Sequence, residues 1–228
     1  MKKIDKIQDF NIDDVINNLW QGQRKIFHGE ADFQFELVEV IKEYYNKGII
    51  RVEHPLLNEE TRKYIDILII DENHENGIAI ELKYKTKFEK FYVQGEKYIL
   101  KDHKAKNDNS YFILKDVEEI ENIIGNTIKE YDISILKGYV IFVTNNESYM
   151  KYQIKGKAEK FSLNAKESNK TAVFKGEMKY ENLKGEDKYA SLNFKKEHVG
   201  EWTELKPFKD DDENEHILYE LVFKIPEK

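Results

Sequence analysis

Glu81 and Lys83 stand two residues apart in AIELKYK (Ala79–Lys85). On a β-strand both side chains leave one face, opposite Ile80 and Leu82. In the preceding apolar run, YIDILII (Tyr64–Ile70), Asp66 is flanked by Ile65 and Ile67. A carboxylate in the middle of such a run belongs to the interior of a sheet. Pairing the two runs as a hairpin around DENHEN sets Ile70 against Ala79, Leu68 against Glu81 and Asp66 against Lys83. A shift of one pair brings Asp66 diagonal to Glu81 instead. Either register gathers two carboxylates and an ammonium on one face. Glu30 is a fourth candidate, one helical turn before Phe33 and Gln34 and two before Leu37, on the apolar stripe of its helix. Acids converging in a half-buried place repel one another unless a cation neutralises them. An oxygen-only ligand set suits Mg²⁺ or Mn²⁺ rather than Zn²⁺. Such an ion beside a lysine can activate water and offset charge on a phosphoryl group.

The elements that must hold these residues are legible from periodicity. Residues 12–20 form a short helix, and EADFQFELVEVIKEYYN (Glu30–Asn46) a stronger one, closed near Gly48. IIRVE (Ile49–Glu53) reads as a strand stopped by His54-Pro55, followed by strands at Tyr64–Ile70 and Gly77–Tyr84. KFYVQGEKYILK alternates around Gln94-Gly95 as a smaller hairpin. A helix near Ser110–Glu130 and a buried strand GYVIFVT (Gly138–Thr144) follow. The order helix, three strands, helix, strand gives an α/β class with a mixed sheet. After Asn146, FSLNAK, TAVFKGEMKY, YASLNFK and HILYELVFKI read as added antiparallel strands. Residues 1–228 are expected to form a single domain, with a core at 27–146 and a β-rich C-terminal extension at 147–228.

Asp66 with Glu81-Leu82-Lys83 resembles the signature of the PD-(D/E)xK nuclease superfamily, the fold of many restriction endonucleases. FHGEADFQ (Phe27–Gln34), RVEHP (Arg51–Pro55), IDILI, AIELKYKT and GEKYILKDHKAKNDNSYFILKDVEEIE (Gly95–Glu121) together are similar to a prokaryotic restriction-endonuclease-like group within it, over roughly residues 27–124. The resemblance implies a restriction-endonuclease-like core in which Asp66, Glu81 and Glu30 hold Mg²⁺ or Mn²⁺, helped by the Leu82 carbonyl. Lys83 then positions or polarises the attacking water, and DNA is the partner in a restriction or host-defence role. Ile65 replaces the superfamily's proline. His103 stands where relatives carry glutamine, which puts a polar role there in doubt.

Composition narrows the classes. The 228 residues contain no cysteine, which removes disulfides, thiolate metal sites and cysteine nucleophiles and fits a reducing, cytoplasmic setting. MKKIDKIQDF lacks the apolar region of a secretory signal, and no apolar run is long enough to span a membrane. The net charge of −7 is not that of a protein that coats nucleic acid indiscriminately. Contact with DNA therefore falls to local lysines, and Lys85, Lys87, Lys101 and Lys104 are the candidates, interleaved with aromatics. Glu53 is read as a strand-end charge that can edge the same site, and His28 and His54 as polar packing residues. KDDDENEH (Lys209–His216) lacks the spacing of an EF-hand loop and is read as a solvated acidic turn, and Trp202 as an anchor for the added strands. Two competing functions stay open: a catalytically silent nucleic-acid-binding or scaffold protein, and a nuclease for RNA or structured DNA. A homodimer would let such an enzyme reach both strands of a duplex.

Overall fold

Asn11 starts the first helix, its side-chain oxygen accepting the Asp13 amide at 3.0 Å and satisfying a donor that the first turn leaves open. The computed structural model describes residues 3–58, 61–128, 132–165, 170–180 and 189–226. Its helices are α1 (Ile12–Gln21), α2 (Glu30–Tyr44), α3 (Lys106–Ile123) and the short α4 (Ser148–Lys151). Its strands are β1 (Ile49–Asn58), β2 (Thr61–Ile70), β3 (Asn76–Tyr84), β4 (Glu89–Val93), β5 (Glu96–Leu100), β6 (Thr127–Ile128), β7 (Ile133–Thr144), β8 (Thr171–Met178), β9 (Leu192–Glu204), β10 (Phe208–Lys209), β11 (Glu215–His216) and β12 (Tyr219–Pro226). The class is α/β, as the order of elements implied, with one mixed sheet whose strands follow the order β1-β2-β3-β7-β12-β9-β8. No described helix is long and apolar enough to cross a membrane. The chain divides into two compact units, residues 1–82, 122–139 and 225–228 in the first and 83–121 and 140–224 in the second.

In the first unit, α1 buries Ile12, Val15, Ile16 and Leu19, and α2 buries Phe33, Leu37, Val38, Ile41 and Tyr44, each at helical spacing. The Tyr44 hydroxyl donates to Asp14 Oδ2 at 3.0 Å. Burial first, then that carboxylate, pushes the phenol up to about 12. α2 ends at Tyr44, and Gly48 serves the fold through close approach. A Cβ there would stand 2.3 Å from the Tyr45 ring and 2.6 Å from the Ile70 carbonyl oxygen.

β1 does not stop at His54-Pro55 as expected, but runs on to Asn58, with Pro55 opposite Tyr64. It is the terminal strand of the sheet, where a residue without an N–H is tolerated on the unpaired side. The β2–β3 hairpin forms, but its register lies two residues from the expected one, with Ile70 opposite Gly77 rather than Ala79. Asp71 is the reason. Its carboxylate accepts the Glu75 and Asn76 amides at 2.9 and 3.2 Å and the Asn76 side-chain amide at 2.7 Å, which closes the loop early.

In the second unit, β4 and β5 form the expected hairpin, with Gln94 (φ 53°) and Gly95 (φ 78°) both left-handed, as a two-residue primed turn requires. α3 starts and stops before the expected Ser110–Glu130, since Gly125 (φ 69°) takes the left-handed conformation just past its end. Glu121, on its buried stripe, accepts the Lys195 and Lys196 amides at 2.9 Å each and lies 3.0 Å from His198 Nε2. β8, β9 and β12 are antiparallel neighbours, as expected of the tail. Of FSLNAK, residues 161–165 form no strand, and Lys166 lies outside the described residues. A 3₁₀ turn covers Gly156–Phe161, and the Leu163 carbonyl accepts the Trp202 indole N–H at 2.6 Å in place of a strand neighbour. Trp202 is buried, as its anchor role requires. The acidic run is also more than a solvated turn. Asp210 is buried and accepts the Asp212 and Asn214 amides at 3.0 and 2.8 Å. Burial works to raise its pKa, but hydrogen bonds from His216 and Asn214 outweigh that and hold it at about 2.

Candidate active site

The β2–β3 ladder runs from Ile70↔Gly77 to Ile67↔Ile80 and ends there. One residue further, Asp66 gives its carboxylate to the backbone of β3, Oδ2 accepting the Leu82 amide at 2.6 Å. The corrected register makes Glu81, not Lys83, the residue facing Asp66. Both carboxylates are half-buried, and Glu81 sits between fully buried Ile80 and Leu82. Among the described residues Asp66 Oδ1 takes no hydrogen bond, so one oxygen is engaged and one is open.

α2 supplies the third wall. Gln34 Nε2 donates to the Asp66 backbone carbonyl at 2.8 Å and to Glu53 Oε1 at 3.3 Å. Glu53 is not a strand-end charge, because β1 continues five residues past it to Asn58. It occupies the position opposite Asp66, where the β1–β2 ladder skips a rung between Val52↔Ile67 and His54↔Ile65. Its φ of 49° is left-handed, a conformation a residue with a side chain adopts at a cost of roughly 1 kcal/mol or more. Glu30 is the first residue of α2, half-buried, one turn before Gln34. An acid there is also favoured by the helix dipole. Behind it, Asp32 accepts both guanidinium nitrogens of Arg24 at 2.6 and 2.9 Å and the His28 amide at 2.8 Å. Burial alone would raise the Asp32 pKa, but those hydrogen bonds leave it lowered.

The candidate donors are carboxylate oxygens, a chemistry that fits a hard divalent cation. Among the described residues, no three His, Asp or Glu side chains are gathered to hold a metal.

Lys83 lies two residues beyond Glu81 on β3, and strand alternation gives both the same face. Its ammonium is paired at 2.7 Å with Asp116 Oδ2 on α3, with side-chain exposures of 17% and 14%. The Lys85 amide donates to the Val143 carbonyl at 3.1 Å. Lys87, Lys101 and Lys104 are exposed, and Lys104 stands 3.6 Å from Asp102. His103 has a polar role after all. Its Nδ1 accepts the Thr86 amide at 3.0 Å and its own amide donates to the Thr86 carbonyl at 2.8 Å, which fixes the chain just past β3. His54 fits a packing residue, its pKa lowered by burial and then by Arg51.

Two residues were missed from the sequence. Asp116 lies three residues after buried Ile113 and four before buried Ile120, the edge of the α3 stripe. Gln34 lies four residues after Glu30 and beside Phe33. Both spacings were available as signals, but neither residue type announces its partner.

Comparison with known proteins finds no matching family model, no matching curated protein and no matching solved structure.

Proposed function

We propose that the protein is a metal-dependent nuclease that hydrolyses phosphodiester bonds in DNA. The observation that carries this reading is the parting of β2 and β3 at Asp66. There the carboxylate is clamped by the Leu82 amide with one oxygen open, and Glu81 holds the facing position. The oxygen of Asp66 that the Leu82 amide leaves open is the kind of hard donor a divalent cation takes. On this reading Asp66 and Glu81 hold Mg²⁺ or Mn²⁺, with Glu30 as the helix carboxylate. The bound ion supplies Lewis-acid stabilisation of the phosphoryl oxygens and lowers the pKa of water. Lys83 orients the attacking water and offsets developing charge, and Asp116 fixes where its ammonium points. Gln34 acts indirectly by holding the Asp66 backbone. The PD-(D/E)xK resemblance adds a restriction or host-defence role and a homodimer as further proposals.

A second reading, a nucleic-acid-binding protein without catalysis, draws on the Lys83–Asp116 pair and on the lack of a three-ligand group among the described residues. The deciding experiment offers supercoiled plasmid, linear duplex, single-stranded DNA and RNA with Mg²⁺ or Mn²⁺, to wild type, Asp66→Ala and Lys83→Ala. Cleavage that disappears in both variants supports the nuclease, and the substrate pattern selects among DNA, RNA and structured DNA. If wild type cuts nothing and calorimetry detects no metal binding sensitive to Asp66→Ala, the non-catalytic reading replaces it.

A further inference from the structure

Nine large apolar side chains are exposed among the described residues, and three of them, Phe88, Tyr92 and Ile99, fall on one face of the β4–β5 hairpin. The hairpin is two-faced. Phe91, Tyr98 and Leu100 point inward and are buried, Phe91 stacking on Tyr98 at 5.8 Å and packing at a tilt against the His216 ring at 4.2 Å. Lys90, Tyr92, Lys97 and Ile99 point outward and are exposed. Across the ladder Lys90 faces Ile99 and Tyr92 faces Lys97, and one step beyond it the same register sets Phe88 against Lys101. Each facing pair on the outer side therefore joins one lysine to one apolar side chain. The ribbon's two acids, Glu89 and Glu96, belong to the inner set by strand alternation, and Glu89 lies 3.3 Å from His216 Nδ1. Lys90, Lys97 and Lys101 form no ion pair among the described residues.

The ribbon is also rigidly mounted. Asp211 accepts the Gln94 and Gly95 amides at 2.7 and 2.8 Å, and its own amide donates to the Tyr92 carbonyl at 2.7 Å. Pinned at its turn and packed on its inner face, the hairpin cannot fold its outer apolar groups into the body.

We propose that this outer face binds unpaired nucleotides of a nucleic-acid strand, Phe88 and Tyr92 stacking on bases while Lys90, Lys97 and Lys101 follow the phosphates. Charge complementarity selects the occupant. In a chain of net charge −7, a face carrying only cations calls for a polyanion. A second copy of the same face would bring like charges together. Unpaired bases are favoured over a duplex because exposed rings need π-faces to stack on, and a duplex backbone offers only phosphates. Phe88 and Tyr92 are four residues apart, about 13 Å along an extended strand, which leaves room for a base at each ring. The proposal refines the nuclease reading, from which it takes nucleic acid as partner, but its test reads binding without cleavage.

Fluorescence anisotropy is measured in EDTA with labelled oligo-dT, oligo-U, a duplex of equal length and an abasic strand of equal length. The proteins are wild type, Phe88→Ala/Tyr92→Ala and Lys97→Ala/Lys101→Ala. All four ribbon substitutions fall at exposed positions, and thermal melts confirm that each protein folds. Wild type is expected to bind oligo-dT more tightly than duplex. The double ring variant is expected to lose about tenfold or more on oligo-dT and nothing on the abasic strand. The double lysine variant should weaken both and flatten the slope of log K against log salt by about 1.4, roughly 0.7 per lysine. Equal binding of oligo-U would extend the site to RNA. No oligonucleotide binding by wild type overturns the proposal, as does a ring variant that binds oligo-dT unchanged. A ring variant that turns a dimer into a monomer in gel filtration overturns it too, assigning the face to self-association. Strong binding with neither cleavage in the plasmid assay nor Asp66-sensitive metal binding by calorimetry refutes the nuclease reading and leaves the ribbon standing.

Discussion

Replacing Asp66 by Asn and by Ala separates two opposing contributions at the parted strands. In the wild type the carboxylate accepts the Leu82 amide at 2.6 Å, a charge-assisted bond worth about 1.5–3 kcal/mol. Against this, the register carried one step past Ile67↔Ile80 sets Glu81 opposite Asp66. The Cβ atoms of directly opposite strand residues lie about 5 Å apart, and unit charges at that separation would repel by about 1 kcal/mol in water and about 3 kcal/mol at an effective dielectric of 20, with half-exposure keeping the value toward the lower end. Asp66→Asn keeps an oxygen for the amide and removes the repulsion, so its stability should match or exceed that of the wild type. Asp66→Ala removes the repulsion too but leaves the Leu82 N–H without its acceptor, about 1–3 kcal/mol worse than Asn. For a chain of this length that difference is roughly 2–12 °C in Tm. Thermal melts without metal read it directly, and equal Tm for the two variants would refute the Asp66–Leu82 bond as a stabilising contact. Repeating the melts with Mg²⁺ adds a second readout. Ligand at a hundredfold its Kd raises stability by about 2.7 kcal/mol, and under the nuclease reading wild type gains this while both variants do not.

A double-mutant cycle with Lys83→Met and Asp116→Asn is expected to give a coupling of about 1–3 kcal/mol in urea unfolding, since both partners are largely shielded from water; a coupling near zero would show that the pair only happens to be close. Gly48→Ala should lower stability by several kcal/mol, because its methyl group would meet the Tyr45 ring and the Ile70 carbonyl at 2.3 and 2.6 Å. An unchanged melting temperature would disprove that packing. Tyr44 gives a pH prediction. Its folded pKa is raised to about 12, so the stability tied to the neutral phenol is complete below the ordinary value near 10 and lost as pH rises from there towards 12. Tyr44→Phe should flatten that part of the stability–pH curve, and a curve unchanged by the substitution would rule the linkage out.

By itself the sequence determined the elements with strong periods and the identity of the charged residues within them. The buried stripes of α1 and α2, the β2–β3 and β4–β5 hairpins and the antiparallel tail were all legible, because burial of a repeating apolar pattern dictates local geometry whatever lies around it. Tertiary structure decided what local pattern leaves free. The hairpin register was set by Asp71 closing the loop, not by the apolar runs, since a slip of two residues keeps every side chain on its face. The same slip moved Glu81 opposite Asp66. β1 ran through Pro55 because it has a neighbour on one side only. Asp116 and Gln34 found their partners 33 and 32 positions away along the chain. No spacing rule reaches that far, because such pairings exist only once packing has brought distant segments together.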